Sequence, residues 1–352
     1  MLTPERRVAL LMHGGLTGLH GKTGLTLLRY SSAQIVAVID REAAGRPVPV
    51  LTGIARDVPV VTDLSTALAY DPDTLVIGVA PSGGRLPERD WSDLAAAACH
   101  GLNLVNGLHT PLADHPELKA HLRPGQWIWD VRREPDNLTI ASGQAAQTAG
   151  RRVLVVGTDM AVGKMSTALE LQRAAQAAGY RAKFLATGQA GVMIAGTGIA
   201  LDAIRVDFAA GAVEQLVVAH AHDQDLVIVE GQGSLFHPGS TATLPLLRGT
   251  QPTDLILVHR AGQTHIRNCP QVQLPPLQDA VQFYEAMACA AGAFAPATVV
   301  AIGLNTSHLE ESEAWQAIAD VANETGLPCT DPVRFGATQL LEALKLTGSK
   351  IA

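Results

Sequence analysis

Cysteine is scarce in this sequence and nowhere arranged for chemistry. Cys99, Cys269, Cys289 and Cys329 form no C-x-x-C pair, so neither a zinc site nor a redox dithiol is signalled. Reduced, mostly buried thiols of a cytoplasmic protein are expected instead. Positive charge is also short. Lys and Arg number 26 against 33 Asp and Glu, a net charge of −7, and no basic patch argues for nucleic acid. Apolar stretches are broken by Gly, Pro or charge before the ~20 residues that a membrane span needs. The N-terminal run MLTPERRVALLMHGG lacks the longer apolar core and small-residue cleavage site of a secretory signal, and reads as a first β-strand. There is no low-complexity tract and no solenoid-length repeat.

What is present is apolar and alternating. Hydrophobic residues make up 47% of the 352 and charged residues 17%. That supports a sizeable core, admits a homo-oligomer, and at roughly 150 residues per domain predicts two domains. Short β-rich runs alternate with Ala/Leu-rich helical stretches from end to end, the pattern of parallel sheets with helices on their faces. In the first half the strands fall at 8–13, 34–40, 74–80, 102–107 and 127–131, with helices at 22–30, 63–69, 88–100 and 115–122. The polar, aperiodic segment 132–152 reads as a linker. The second half restarts with strands at 152–156, 182–187, 225–230, 254–259 and 298–305, and helices near 164–178, 207–220, 277–290, 311–325 and 336–346. The fold class is therefore α/β, with a Rossmann-like doubly wound sheet over 1–135 and a P-loop NTPase-like parallel sheet over 150–352.

The turn MHGGLTGLHGKTG after the first strand admits two ligand readings. One is a Rossmann turn, with Asp40 at the end of the second strand meeting a ribose hydroxyl. The other is a phosphate loop, since Gly15 to Thr23 spells G-x5-G-K-T. The glycine spacing departs from G-x-G-x-x-G, and no later strand of this half ends in an acid placed for magnesium. A Rossmann-like domain without its own nucleotide is the simpler reading.

The stronger phosphate loop is VLVVGTDMAVGKMSTALEL. An apolar strand feeds Gly157, Thr158, Asp159, Val162, Gly163 and Lys164, and a long helix follows. Glycines let backbone N–H groups face an anion, while the helix N-terminus and Lys164 add positive charge. A later strand ends in Glu230 and Gly-Gln-Gly, where an acid would flank the loop. The residue after Gly-Lys, ordinarily Ser or Thr for magnesium, is Met165. A thioether is no hard ligand, and Ser166 is rotated about 100° around the helix. The loop therefore suits phosphates that are held but not cut, such as those of coenzyme A.

The loop has the spacing of dethiobiotin synthetase-type loops. Together with ATGQAGVMIAGTG, VEGQGSLFHPG, THIRN, PSGGRLP, GLNLVNGLH, IWDVR and TGLPCTDPVRFG, it closely resembles the D-glutamate N-acetyltransferase family over nearly the whole chain. The resemblance implies an N-terminal Rossmann-like domain and a C-terminal P-loop domain. It also implies acetyl-CoA as cosubstrate and a racemase that receives N-acetyl-D-glutamate.

Acetyl transfer needs a base, a polarised thioester and a grip on the substrate carboxylates. Glu230, where burial would raise the carboxyl pKa, and His237 are the candidate bases. Arg260 and Arg267, in the loop 259–270, are candidates for a substrate carboxylate or a carrier phosphate. Thr187 and Gln189 offer neutral contacts, and Ser82 and Arg85 end a first-half strand. His259 and His265 have no acidic or cysteine partner at ligand spacing, so no metal is expected. His220 and His222 suit a helix C-terminus. One alternative is an ATP- and magnesium-dependent kinase or ligase using Asp159, Lys164 and Glu230. Another is a non-catalytic sensor of nucleotide or coenzyme A.

Overall fold

A computed structural model describes residues 2–18, 20–81, 84 and 86–346. The chain divides into two compact units, one comprising Met1–Glu134 and Gln189–Ala203, the other Pro135–Gly188 and Ile204–Ala352.

The first unit runs β1 (Arg7–Leu11), α1 (Lys22–Tyr30), β2 (Gln34–Ile39), α2 (Val48–Thr52), β3 (Val60–Val61), α3 (Leu64–Ala67), β4 (Thr74–Ile77), α4 (Trp91–Cys99), β5 (Asn103–Asn106), α5 (Pro116–His121) and β6 (Ile128–Asp130). Its sheet is parallel, in the order β3-β2-β1-β4-β5-β6. This is the doubly wound order that the alternation predicts. The inner strands β4 and β5 are buried on both faces, and Leu75, Ile77, Leu94 and Leu104 fill the layer beneath the helices.

The end of β2 bears on the Rossmann-turn alternative. Asp40 is buried, and its carboxylate accepts hydrogen bonds from the N–H groups of Gly14 at 2.9 Å, Leu16 at 3.1 Å and Glu42 at 3.1 Å. It braces the glycine-rich turn and does not stand ready for a ribose. The turn's glycines serve close approach of backbone to backbone. A Cβ on Gly18 would lie 2.2 Å from the Gly14 carbonyl oxygen, and one on Gly21 1.8 Å from that of Gly15.

The second unit begins at Pro135, within the stretch that reads as a linker. Glu214 ties that stretch down, accepting from the Ser142 N–H at 2.8 Å and the Ser142 hydroxyl at 3.0 Å. Burial pushes the Glu214 carboxyl up, but these donors and the Gln144 and Gly143 amides outweigh it and hold it below the usual range. The elements then run β7 (Arg151–Gly157), α6 (Lys164–Ala177), β8 (Ala182–Leu185), α7 (Gln189–Ala195, in the first unit), α8 (Val206–Ala221), β9 (Leu226–Val229), α9 (Thr243–Thr250), β10 (Asp254–Arg260), β11 (His265–Ile266), β12 (Cys269–Gln273), α10 (Leu277–Cys289), β13 (Thr298–Asn305), α11 (Glu311–Thr325), β14 (Cys329–Thr330) and α12 (Thr338–Ala343).

The six-stranded sheet of this unit is parallel, in the order β14-β13-β10-β7-β9-β8. β7 is central, so its loop opens at the carboxyl edge where ligands bind in such sheets. The run 259–270 is not a plain loop. It holds the end of β10 and most of an antiparallel hairpin, β11 with β12. No helix among the described residues is long and apolar enough to cross a membrane.

Candidate functional site

The phosphate loop leaves β7 at Gly157 and enters α6 through Gly163, whose φ is 118°. Ala161, at φ 56°, also lies in the left-handed region, a strain that persists only where the surroundings hold it. Those surroundings are specific. The Tyr284 hydroxyl donates to the Gly157 carbonyl at 2.7 Å and accepts from the Leu235 N–H at 3.2 Å. The Ser234 hydroxyl donates to the Thr158 carbonyl at 2.8 Å, and the Asn305 amide to that of Val162 at 2.9 Å. The Thr158 hydroxyl and His259 Nδ1 are 2.8 Å apart. None of these bracing residues has a spacing cue, and Tyr284 looks in the sequence like one more residue of an apolar helix face.

Lys164 is buried and crosses two glycines. A Cβ on Gly157 would sit 3.1 Å from its Cδ, and a Cβ on Gly231 3.0 Å from the same atom. Its ammonium donates to the Asp159 carbonyl at 2.7 Å. Met165 is buried, while Ser166 is half-buried on the next helical position. The Asp159 carboxylate accepts from the Met160 N–H at 2.6 Å, the Gln263 amide at 2.6 Å and the Arg267 N–H at 2.9 Å. The donor set is therefore ill matched to magnesium, with an acid already bonded and a thioether where a hydroxyl would stand. Among the described residues no cluster of three or more His, Cys, Asp or Glu is placed to hold a metal.

Glu230 follows β9 and is buried. One carboxylate oxygen accepts from the N–H groups of Thr187 at 2.9 Å and Gly188 at 3.1 Å, and the other from the Gln232 amide at 3.0 Å. The Thr187 hydroxyl donates to the Glu230 carbonyl at 2.6 Å. Thr187 thus orients Glu230. His237 Nδ1 accepts from the Gly239 N–H at 3.0 Å, so a neutral ring carries its proton on Nε2 and presents a donor there.

Arg260 ends β10, half-buried, and Arg267 is exposed at the tip of the hairpin. Neither guanidinium makes an ion pair or hydrogen bond among the described residues. Gln189 opens α7 in the first unit, against Gly107. Ser82 and Arg85 lie outside the described residues. His220 Nδ1 meets the Leu216 carbonyl at 3.1 Å, a helix-terminal role. A cleft of about 810 Å³ opens beside His259 and Gln263, where α11 contributes Glu313, Asp320 and Glu324. No Lys or Arg lines it, so it does not suit a phosphate or a dicarboxylate.

Burial pushes the His259 imidazole down to about 4, so the ring that holds Thr158 is neutral at physiological pH. The unfolded chain binds this proton near pH 6.5 and the folded chain only near 4. Stability from this group is therefore complete above about pH 6.5 and lost as pH falls towards 4. The wild type is expected to lose about 2 kcal/mol between pH 7 and pH 5 through this residue. His259→Asn, which keeps a polar atom near the Nδ1 position, is expected to flatten that slope in urea titrations. An unchanged slope in the variant would locate the acid sensitivity elsewhere.

These features define a two-unit α/β protein whose second unit carries a glycine-rich P-loop between β7 and α6. The chain belongs to the DUF1611 family. Residues 139–341 match its P-loop domain and residues 41–134 its Rossmann-like domain, both described as domains of unknown function. A crystal structure of a DUF1611 family protein from Anabaena variabilis superposes with a TM-score of 0.95 at 60% identity, covering 97% of this chain and 99% of that one. A Tritonibacter scottomollicae protein named D-glutamate N-acetyltransferase is 41% identical over 80% of this chain and 84% of its own. One of the same name from a Pseudoalteromonas species is 34% identical over 77% and 81%. This kinship makes the chain an acyltransferase.

Proposed function

We propose that this protein transfers the acetyl group of acetyl-CoA to the amino group of D-glutamate or a close relative of it. The observation that carries this reading is the phosphate loop. It offers glycines, a helix N-terminus and Lys164 to phosphates, while Met165 and the bonded Asp159 offer nothing suited to magnesium. An acyl carrier meets those terms, because its phosphates are gripped while the chemistry happens at a distant thioester. The names carried by the two curated relatives point the same way.

The bound carrier supplies an activated acetyl group. The amino acid's ammonium must lose a proton before its nitrogen attacks the thioester carbonyl, and the thiol then departs as the amide forms. Glu230 takes that proton. Its position is fixed by the Thr187 and Gly188 N–H groups, whereas His237, whose Nδ1 accepts from the Gly239 N–H, presents Nε2 as a donor and suits an oxygen that gains negative charge. Arg260 and Arg267 supply cations for the anionic groups of the two substrates. The product, N-acetyl-D-glutamate, passes to a racemase, and unpaired thiols suit a cytoplasmic setting.

The test is thiol release from acetyl-CoA by the purified protein with D-glutamate, L-glutamate or no amino acid, with and without chelator. Release with D-glutamate that chelator leaves unchanged is expected. Consumption of ATP and magnesium with no thiol release would replace this reading by a kinase or ligase. Tight binding of coenzyme A without turnover would replace it by a sensor.

A further inference from the structure

Two cationic side chains hang from one residue of the phosphate loop. Lys164 donates to the Asp159 carbonyl at 2.7 Å. The Asp159 carboxylate holds the backbone of Arg267 at 2.9 Å and the Gln263 amide at 2.6 Å. The Gln263 amide also donates to the His265 carbonyl at 2.9 Å, at the root of the hairpin. Ile266 and Cys269 are paired across β11 and β12, which leaves Arg267 and Asn268 as a two-residue turn. Ile266 is buried and anchors one side of the hairpin, while the bonds to Asp159 fix the other. The Arg267 side chain is exposed and makes no ion pair or hydrogen bond among the described residues. A fixed backbone bearing an uncommitted guanidinium is an arrangement for seizing an anion.

We propose that Arg267 binds a phosphate of the acyl carrier, not a carboxylate of the amino acid, and that Asp159 and Gln263 are positioning residues that latch its hairpin to the phosphate loop. The proposal rests on the acetyltransferase reading and deepens it. Arg267 is tied to the loop itself, through a residue that also takes the Lys164 ammonium, and not to Glu230, where the amine must lie. Coenzyme A carries a diphosphate and a separate ribose phosphate, so a loop that grips one group leaves another for a forked donor. Asp159 is accordingly an internal strut and not a ligand contact.

The experiment compares two acetyl donors, acetyl-CoA and S-acetylpantetheine, which has the same thioester and no phosphate. Arg267→Ala is expected to lower kcat/KM with acetyl-CoA by about 10- to 100-fold, through KM, the range of a lost charge-assisted hydrogen bond. With S-acetylpantetheine the loss should shrink to at most about threefold, and the KM for D-glutamate should stay put. Gln263→Leu should raise the acetyl-CoA KM in the same donor-dependent way, whereas a merely structural role would impair both donors alike. Equal losses with both donors, together with a raised D-glutamate KM, would overturn the proposal and give Arg267 to the amino acid. If the wild type transfers acetyl from neither donor, the acetyltransferase reading fails. Calorimetric titration with coenzyme A then decides this proposal by itself: about tenfold weaker binding by Arg267→Ala upholds it, and equal or absent binding in both proteins ends it.

Discussion

Glu230→Gln is expected to lower kcat by about 10²- to 10⁴-fold, the span of a positioned general base, with little change in melting temperature. The amide is isosteric with the carboxylate. Its oxygen can keep the N–H groups of Thr187 and Gly188, which lie 2.9 and 3.1 Å away in the wild type. Its nitrogen would face the Gln232 amide, and that side chain can turn over to offer its oxygen. The hydrogen-bond frame therefore survives while the proton acceptor is lost. The measurement is steady-state kinetics with acetyl-CoA and D-glutamate beside a thermal melt. A kcat within about threefold of wild type at an unchanged melt would remove Glu230 from the proton transfer.

Gly231→Ala is expected to cost about 3 kcal/mol or more and to dismantle the cradle along with it. An added Cβ would lie 1.7 Å from the Val155 carbonyl oxygen and 3.0 Å from Lys164 Cδ. The first neighbour is backbone of the central strand β7, which cannot step aside without losing its pairing with β9 and β10. Gly262→Ala is the control. A Cβ there meets nothing within 4 Å, though its φ of 71° is left-handed, so about 1 kcal/mol is expected. Chemical denaturation of the three proteins reads both effects. If Gly231→Ala unfolds at the wild-type denaturant concentration, the close packing of this strand exit on β7 is not what requires a glycine.

The large periodic elements could be read from the sequence, and so could the phosphate loop. β13 and α11 fall on residues 298–305 and 311–325, as their patterns indicate, because a buried parallel strand is a continuous apolar run and a long helix repeats its face. Short elements were not legible. α9 carries Pro245 and Gly249, β14 is two residues long, and β11 and β12 form from HI and CPQVQ with almost no apolar alternation. Motif spacing marked Lys164 and Glu230. It did not mark Tyr284, Ser234, Gln263 or Asn305, which reach the site through tertiary contacts from distant parts of the chain. Asp40 looked like a ligand contact because an acid at a strand exit has the same local pattern whether it meets a ligand or the backbone of its own turn.

The path of the chain between its units bears on how the protein is made. The backbone passes from one unit to the other after Glu134, after Gly188 and again after Ala203. α7 packs on α1 within the first unit, and Arg132 pairs with Asp202 there. As the polypeptide emerges from the ribosome, the first unit still lacks α7 when its own sheet is finished. Residues 189–203 arrive only after the phosphate loop and β8 have been synthesised. An order in which an N-terminal domain folds before its neighbour begins would therefore leave this unit without one of its helices. A fragment cut at Glu134 would leave the ribosome with the α7 face of α1 bare.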